Sequence, residues 1–234
     1  MKSTRRSETD ISDLCFARFD AMVEQGARYA VFDLDGTILR SNIVMPYVYV
    51  RRRMMHPCLF WFWFVGYLVY AGIYYRWLDA RSRLLFQKRF FRRYERLPYD
   101  GVCRWSARYA QTALQHRSIV PVRELLDHLK SRGVAVSILS TGITPVVEPI
   151  AAALGVSCNC IEVKNVNGRC EVSLEALEGF KERIIEAFDP ACTIAVADSR
   201  HDLPILQRVR FPVVVAGKYR AWMGQVSDAI WIKP

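Results

Sequence analysis

Zinc-type cysteine spacing is missing from this chain of 234 residues. Its seven cysteines, at 15, 58, 103, 158, 160, 170 and 192, include no CxxC pair and no Cys/His cluster. An odd, scattered set excludes a zinc-stapled module and fits a reduced, cytoplasmic setting better than a disulfide framework. An apolar signal core is also missing near the start. MKSTRRSETD is basic and polar, and ISDLCFARFDAMVEQ has an amphipathic helical pattern, so no cleaved secretory signal is expected. Acidic residues are scarce in one stretch only. Residues 40–118 hold 15 Lys+Arg against 3 Asp+Glu, whereas the rest of the chain is close to neutral within the overall +10. A basic module therefore sits inside a nearly neutral protein. Its cations alternate with aromatics at helical spacing and no nucleic-acid motif accompanies them, so a nucleic-acid partner is not expected.

What is present is an α/β rhythm with one interruption. RYAVFDLDGT (28–37) reads as a buried strand running into an acidic loop. Residues 41–117 are long helical stretches. From 121 the alternation resumes: helix PVRELLDHLKSRG, strand VAVSILS, helix TPVVEPIAAALG, a hairpin turning at Asn165–Gly168, helix LEGFKERIIEAF, strand CTIAVAD, a short helix near HDLPILQRV, and strands FPVVVAG and AIWIK. This order predicts a Rossmann-like parallel sheet flanked by helices, with an inserted all-helical cap. Residues 1–40 and 118–234 form the expected core and 41–117 the cap.

In such sheets ligands sit at the carboxyl ends of strands. The polar residues there are Asp33 and Asp35 after the first strand, Ser140 followed by Thr141 and Gly142 after the second, and Asp198 after another. Lys181 lies in a helix. Asp202 follows Asp198 at i+4, which puts both on one helical face. An EF-hand is excluded, because the loop from Asp33 has no third acidic ligand before Gly36 and Val44 at its twelfth position. Lys181 as a solvated helix lysine, Asp202 as a helix cap and Ser140 as a strand-end hydroxyl are the ordinary alternatives.

FDLDGT, a Ser after an apolar strand, a Lys and then DSxxD, in this order, resemble the four motifs of the haloacid dehalogenase superfamily over roughly residues 28–215. The resemblance is to its helical-cap, phosphoserine-phosphatase-like class. It implies phosphomonoester hydrolysis through an aspartyl phosphate on Asp33. Asp35 would serve as acid and then base. Ser140, Thr141 and Lys181 would bind the phosphate; Asp33, Asp35 through its carbonyl and Asp198 would hold Mg²⁺, with Asp202 a further ligand or a group that holds its waters. Such chemistry is physically reasonable, since a phosphate dianion repels a carboxylate nucleophile until cations neutralise it. Two departures stand out: Ala197 where the pattern has Gly before the fourth-motif Asp, and Ser-Thr-Gly in place of Ser-Gly-Gly.

The cap carries CLFWFWFVGYLVYAGIYY, residues 58–75, without a charge. A single membrane crossing is not expected, because the motif residues lie on both sides of the segment and basic groups flank both of its ends. A re-entrant hairpin turning near Gly66 or Gly72, a helix lying in the membrane interface, or cap core all remain open. In 81–96, Phe86, Phe90 and Tyr94 recur at i+4, with Lys88, Arg92 and Arg96 on another face. The expectation is aromatics at the acyl boundary and cations on an anionic membrane surface, with cap core again as the alternative. An apolar, basic cap suggests a phospholipid monoester as substrate, as in membrane-associated phosphatases resembling phosphatidylglycerophosphatase, acting at the cytoplasmic face; the alternatives are a soluble, phosphoserine-like phosphatase of small metabolites and a non-catalytic module that binds anionic lipid.

Overall fold

The computed structural model describes residues 16–234. The start of the expected opening helix, and Cys15, lie outside those residues. In chain order, α1 (Ala17–Glu24) and β1 (Tyr29–Phe32) precede α2 (Val44–Met54), α3 (Pro57–Tyr70), α4 (Arg76–Arg81), α5 (Arg83–Phe91), α6 (Tyr99–Arg117) and α7 (Val120–Ser131). Then follow β2 (Ala135–Ile143), α8 (Thr144–Leu154), β3 (Ser157–Ile161), β4 (Val163–Val166), β5 (Arg169–Val172), α9 (Phe180–Ile185), β6 (Thr193–Ala197), α10 (Leu203–Arg208), β7 (Phe211–Val215) and β8 (Ile230–Ile232). The result is the expected α/β class: a six-stranded parallel sheet in the order β3-β2-β1-β6-β7-β8, with helices on its faces and a helical insertion between β1 and β2.

Two compact units emerge. One holds residues through Arg40, Arg117–Leu139 and Lys181–Pro234; the other holds Ser41–His116 and Ser140–Phe180. In the first unit the central strands are apolar throughout. Every residue of TIAVA (β6) and FPVVV (β7) is buried, as expected where helices cover both faces of a parallel sheet. β1 pairs with β2 on one side, Phe32 opposite Ile138, and with β6 on the other, Phe32 opposite Val196. Helix α7 opens on Pro121 and buries Val122, Leu125, Leu126 and Leu129, the i, i+3, i+4, i+7 stripe of a surface helix. Its His128 and Arg132 both reach Asp20 of α1, at 2.8 and 3.0 Å.

The second unit is built on aromatic packing. Tyr47 of α2 meets Tyr94, Phe90 and Tyr67 at ring-centroid separations of 5.1, 5.5 and 6.2 Å, within the range of favourable aromatic pairs. Phe86, Phe90 and Tyr94 are buried, so the aromatic stripe of 81–96 is cap core and not a membrane face. The physical reason is that α5 and the turn after it pack those rings onto Tyr47 and Tyr75. Of the readings open for residues 58–75, the hairpin is not found, because the chain does not turn at Gly66 or Gly72. Pro57–Arg81 is one continuous 25-residue helix, with a π-helical stretch at Ala71–Tyr75 that absorbs the glycine. The hairpin is found as expected: β4 and β5 are antiparallel, and the Gly168 amide donates to the Asn165 side chain across the turn at 2.9 Å.

Candidate active site

The strand order places a topological switch between β1 and β6. The chain leaves β1 toward β2 on one side and returns as β6 on the other, which opens a crevice at the carboxyl ends of the two strands. Asp33 and Asp198 are the residues that end them. The backbone registers them, since the Asp33 amide donates to the Val196 carbonyl at 2.9 Å. Adding Asp202 from the turn before α10 completes a carboxylate cluster in which one oxygen of each lies within 4.8 Å of the others.

Lys181, at the start of α9, donates to Asp33 Oδ1 at 2.6 Å and to Asp202 Oδ1 at 2.5 Å. Its side chain is only 13% exposed, so it is not a solvated helix lysine. Asp202 occupies the N-cap position of α10 but makes no capping bond. Its carboxylate instead takes Lys181 on one oxygen and the Ser199 hydroxyl on the other, at 2.9 Å. Asp198 accepts from the Thr37 hydroxyl at 3.4 Å. Neither Thr37, fully buried, nor Ser199 was singled out by pattern, although both lie inside the motif strings FDLDGT and DSRHD.

Three carboxylates crowded out of water resist ionisation. Burial, followed by the Asp202 and Asp198 charges, pushes Asp33 up to about 7 against the pull of Lys181. Burial, followed by Asp202, pushes Asp198 up to about 6 despite Lys181 and Thr37. Burial alone would lower the Lys181 ammonium, but the Asp33 and Asp202 carboxylates overrule it and raise its pKa.

The donor set suits a hard divalent cation. All three candidate donors are carboxylate oxygens, and on a Mg²⁺ octahedron neighbouring oxygens stand about 2.9 Å apart and opposite ones about 4.2 Å. A cluster within 4.8 Å needs little contraction to reach that. Gly36 protects the geometry. It sits at φ +87°, and a Cβ there would fall 2.4 Å from Asp198 Oδ2, inside any tolerable contact. Gly36→Ala is therefore expected to displace Asp198 and weaken Mg²⁺ binding by about tenfold or more, measured by isothermal titration calorimetry; unchanged affinity would show that Asp198 is not a ligand.

Asp35 lies half-buried in the turn after β1 and bridges to Leu39. Ser140 and Thr141 belong to the second unit. Ser140 is buried and its hydroxyl accepts the Gly142 amide at 3.0 Å. Thr141 accepts from Gln87 Nε2 at 2.7 Å. Gln87 is a buried polar side chain on α5 that the helical pattern of 81–96 hid among aromatics and cations.

A doubly wound parallel sheet with a carboxylate and ammonium cluster at its switch point can hold a divalent cation and an anionic ester together. Residues 30–207 match the family model of haloacid dehalogenase-like hydrolases, and the chain belongs to that family. Among solved structures it is similar to a protein with unknown function from Bordetella pertussis Tohama I, with TM-score 0.67 and 14% identity over 88% of this chain and 98% of that one. It is also similar to a phospho-aspartyl intermediate analogue of phosphoserine phosphatase, with TM-score 0.55 and 17% identity over 88% and 93% of the two chains. A phosphoserine phosphohydrolase-like protein from Francisella tularensis subsp. tularensis SCHU S4 gives TM-score 0.53 and 15% identity over 87% and 94%. At these identities the likeness is one of fold. No curated protein matches the chain.

Proposed function

We propose that the chain hydrolyses a phosphomonoester by passing its phosphoryl group through Asp33. The observation that carries this reading is the placement of Asp33 at the end of β1, with the Lys181 ammonium 2.6 Å away and two further carboxylates beside it. Asp33 attacks phosphorus, the bond from phosphorus to the leaving oxygen breaks, and Asp35 gives that oxygen its proton. Asp35, now a carboxylate, takes a proton from water as the water oxygen attacks the aspartyl phosphate, releasing inorganic phosphate and restoring Asp33. Lys181 neutralises phosphate oxygens as a point charge. Ser140 and Thr141 join it as phosphate-binding residues on the strength of the family's motif order. Asp33, Asp198, Asp202 and the Asp35 carbonyl would hold Mg²⁺, which would supply the electrostatic screening that lets an anionic nucleophile approach an anionic ester.

The substrate class divides two readings. The similar structures named phosphoserine phosphatases support a small soluble ester. A phospholipid monoester at the cytoplasmic membrane face is favoured by one observation, the exposed apolar surface of the helix Pro57–Arg81, only 17% of whose apolar window is buried. Phosphate release from phosphoserine, lysophosphatidate and phosphatidylglycerophosphate, with Mg²⁺ and then with EDTA, separates them. Mg²⁺-dependent release from phosphoserine alone sustains the small-ester reading, and release from the lipids alone sustains the other. Release that EDTA leaves intact would sink the metal assignment.

A further inference from the structure

The second unit contains a cavity of about 430 Å³ that shares no residue with the Asp33 cluster. It is lined by Arg89, Arg92, Arg93 and Arg96 together with Tyr70, Tyr74 and Tyr75. Among the described residues, none of these arginines forms an ion pair with a carboxylate. Arg93 is held in place. It donates to the Tyr75 hydroxyl and lies over the rings of Tyr67, Tyr70 and Tyr75 at 5.5, 5.1 and 5.4 Å. Four guanidinium groups around one hollow repel one another unless an anion joins them, and their planar forks match phosphate oxygens.

What stands beside the hollow indicates the anion's carrier. Tyr70, Tyr74 and Tyr75 come from the 25-residue helix Pro57–Arg81, whose apolar window has a mean hydropathy of 1.4. One face packs inward through Phe60, Tyr67, Tyr75 and Leu78. The other shows Phe62 at 82%, Val65 at 60%, Val69 at 61% and Ile73 at 72% exposure, an i, i+3, i+7, i+11 stripe with nothing over it. Tyr70 belongs to both features, being 44% exposed and a wall of the cavity. An apolar stripe edged by tyrosines, with arginines that make no close carboxylate ion pair next to it, has the order of a bilayer's own layers from acyl chain to headgroup phosphate. A soluble protein partner would have to supply an apolar groove and an acidic patch together; an anionic bilayer has both by construction.

We propose that this cap face docks on an anionic phospholipid bilayer, the Phe62, Val65, Val69 and Ile73 stripe entering the acyl boundary while Arg89, Arg92, Arg93 and Arg96 hold the phosphate of one lipid headgroup. The helix lies along the interface and does not cross it. This docking is independent of which phosphomonoester Asp33 accepts.

Flotation of the full-length chain with vesicles tests it, using phosphatidylcholine alone and phosphatidylcholine mixed with phosphatidylglycerol in equal parts. Wild type is expected to float with the mixed vesicles. Because each cation near an anionic surface is worth about 1 kcal/mol, the triple variant Arg89→Gln/Arg92→Gln/Arg96→Gln is expected to bind on the order of 100-fold more weakly. All three positions are exposed, and hydrolysis of soluble p-nitrophenyl phosphate is expected to stay at the wild-type rate, which shows that the fold survives. The triple Lys variant keeps the charge but loses the forks, so it too is expected to bind less than wild type; equal binding would overturn the headgroup pocket. Phe62→Ser/Ile73→Ser is expected to lose the mixed vesicles as well. Two results overturn the proposal outright: a wild type that floats with neither vesicle, or one that self-associates in sedimentation through the stripe and ignores lipid.

Discussion

Asp33→Asn is expected to abolish Mg²⁺-dependent phosphate release, by at least about 10³-fold, and at the same time to raise the melting temperature of the metal-free protein at pH 7.5. The first effect follows from removing the nucleophile. The second follows from the sign of its ionisation. Folding lifts the Asp33 carboxyl from 3.8 to about 7, through burial first and then Asp202 and Asp198. Between those pH values the folded state holds a proton that the unfolded chain has released. Stability from this group is therefore greatest below about pH 4 and is lost as pH rises toward 7, the reverse of a salt-bridged surface aspartate. Asp198, lifted to about 6, adds to the same trend. An amide at position 33 has no charge to bury, and Lys181 keeps Asp202 as a partner. A gain of about 1 kcal/mol would move the midpoint by about 2–4 °C in a chain of this size. Thermal unfolding in EDTA at pH 5 and pH 7.5 checks this: the wild type should be more stable at the lower pH, and the variant should show less of that difference. A variant that keeps its activity, or melts lower at pH 7.5, would remove Asp33 from the role assigned to it.

Lys181→Met should act in the opposite direction on stability. Lys181 contacts both Asp33 and Asp202, whose side chains are 11% and 3% exposed. Removing the ammonium leaves facing carboxylates in a poorly solvated site, a loss of about 3–5 kcal/mol where one partner of a buried pair is deleted. The loss should be largest above pH 7, where Asp33 is ionised, and smaller at pH 5, where it holds its proton. Added Mg²⁺ should restore part of it, because a divalent cation beside Asp33, Asp198 and Asp202 replaces the missing charge. Activity should still fall about 10²-fold or more with metal present, since a fixed cation at the transferred phosphoryl group is gone. Denaturation curves across pH, with and without Mg²⁺, read all three effects. If the variant unfolds like wild type at pH 8, Lys181 is not the cluster's counter-ion.

These two residues also mark how far the pattern of residues reaches. Asp33 and Asp198 were legible because each ends an apolar run, and a buried parallel strand has that local signature. Asn165–Gly168 was legible as a turn because its chemistry lies within four residues. Lys181 was recognisable only by motif order, since the contact that removes it from solvent joins residues 148 apart. Gln87 was invisible. It sits in RSRLLFQKRFF as one polar residue among cations and aromatics, and only the packing of α5 brings it to Thr141.

The cap shows the same division. Composition alone determined that 58–75 carries no charge and that 40–118 is strongly basic, because these are sums over residues and need no geometry. Which surface faces outward was beyond it. The expected membrane face, Phe86, Phe90 and Tyr94, is the core of the cap, and the exposed apolar stripe runs along a continuous helix for which a hairpin was one of the open readings. Helical periodicity states that residues share a face; what that face meets depends on how helices pack. By itself, then, the sequence determined the α/β order, the strand-end aspartates and the charge of the insertion, all set by local spacing. Tertiary structure alone decided the counter-ion of the buried carboxylates, the partner of Thr141 and the outward face of the apolar helix, since each depends on distances between segments far apart in the chain.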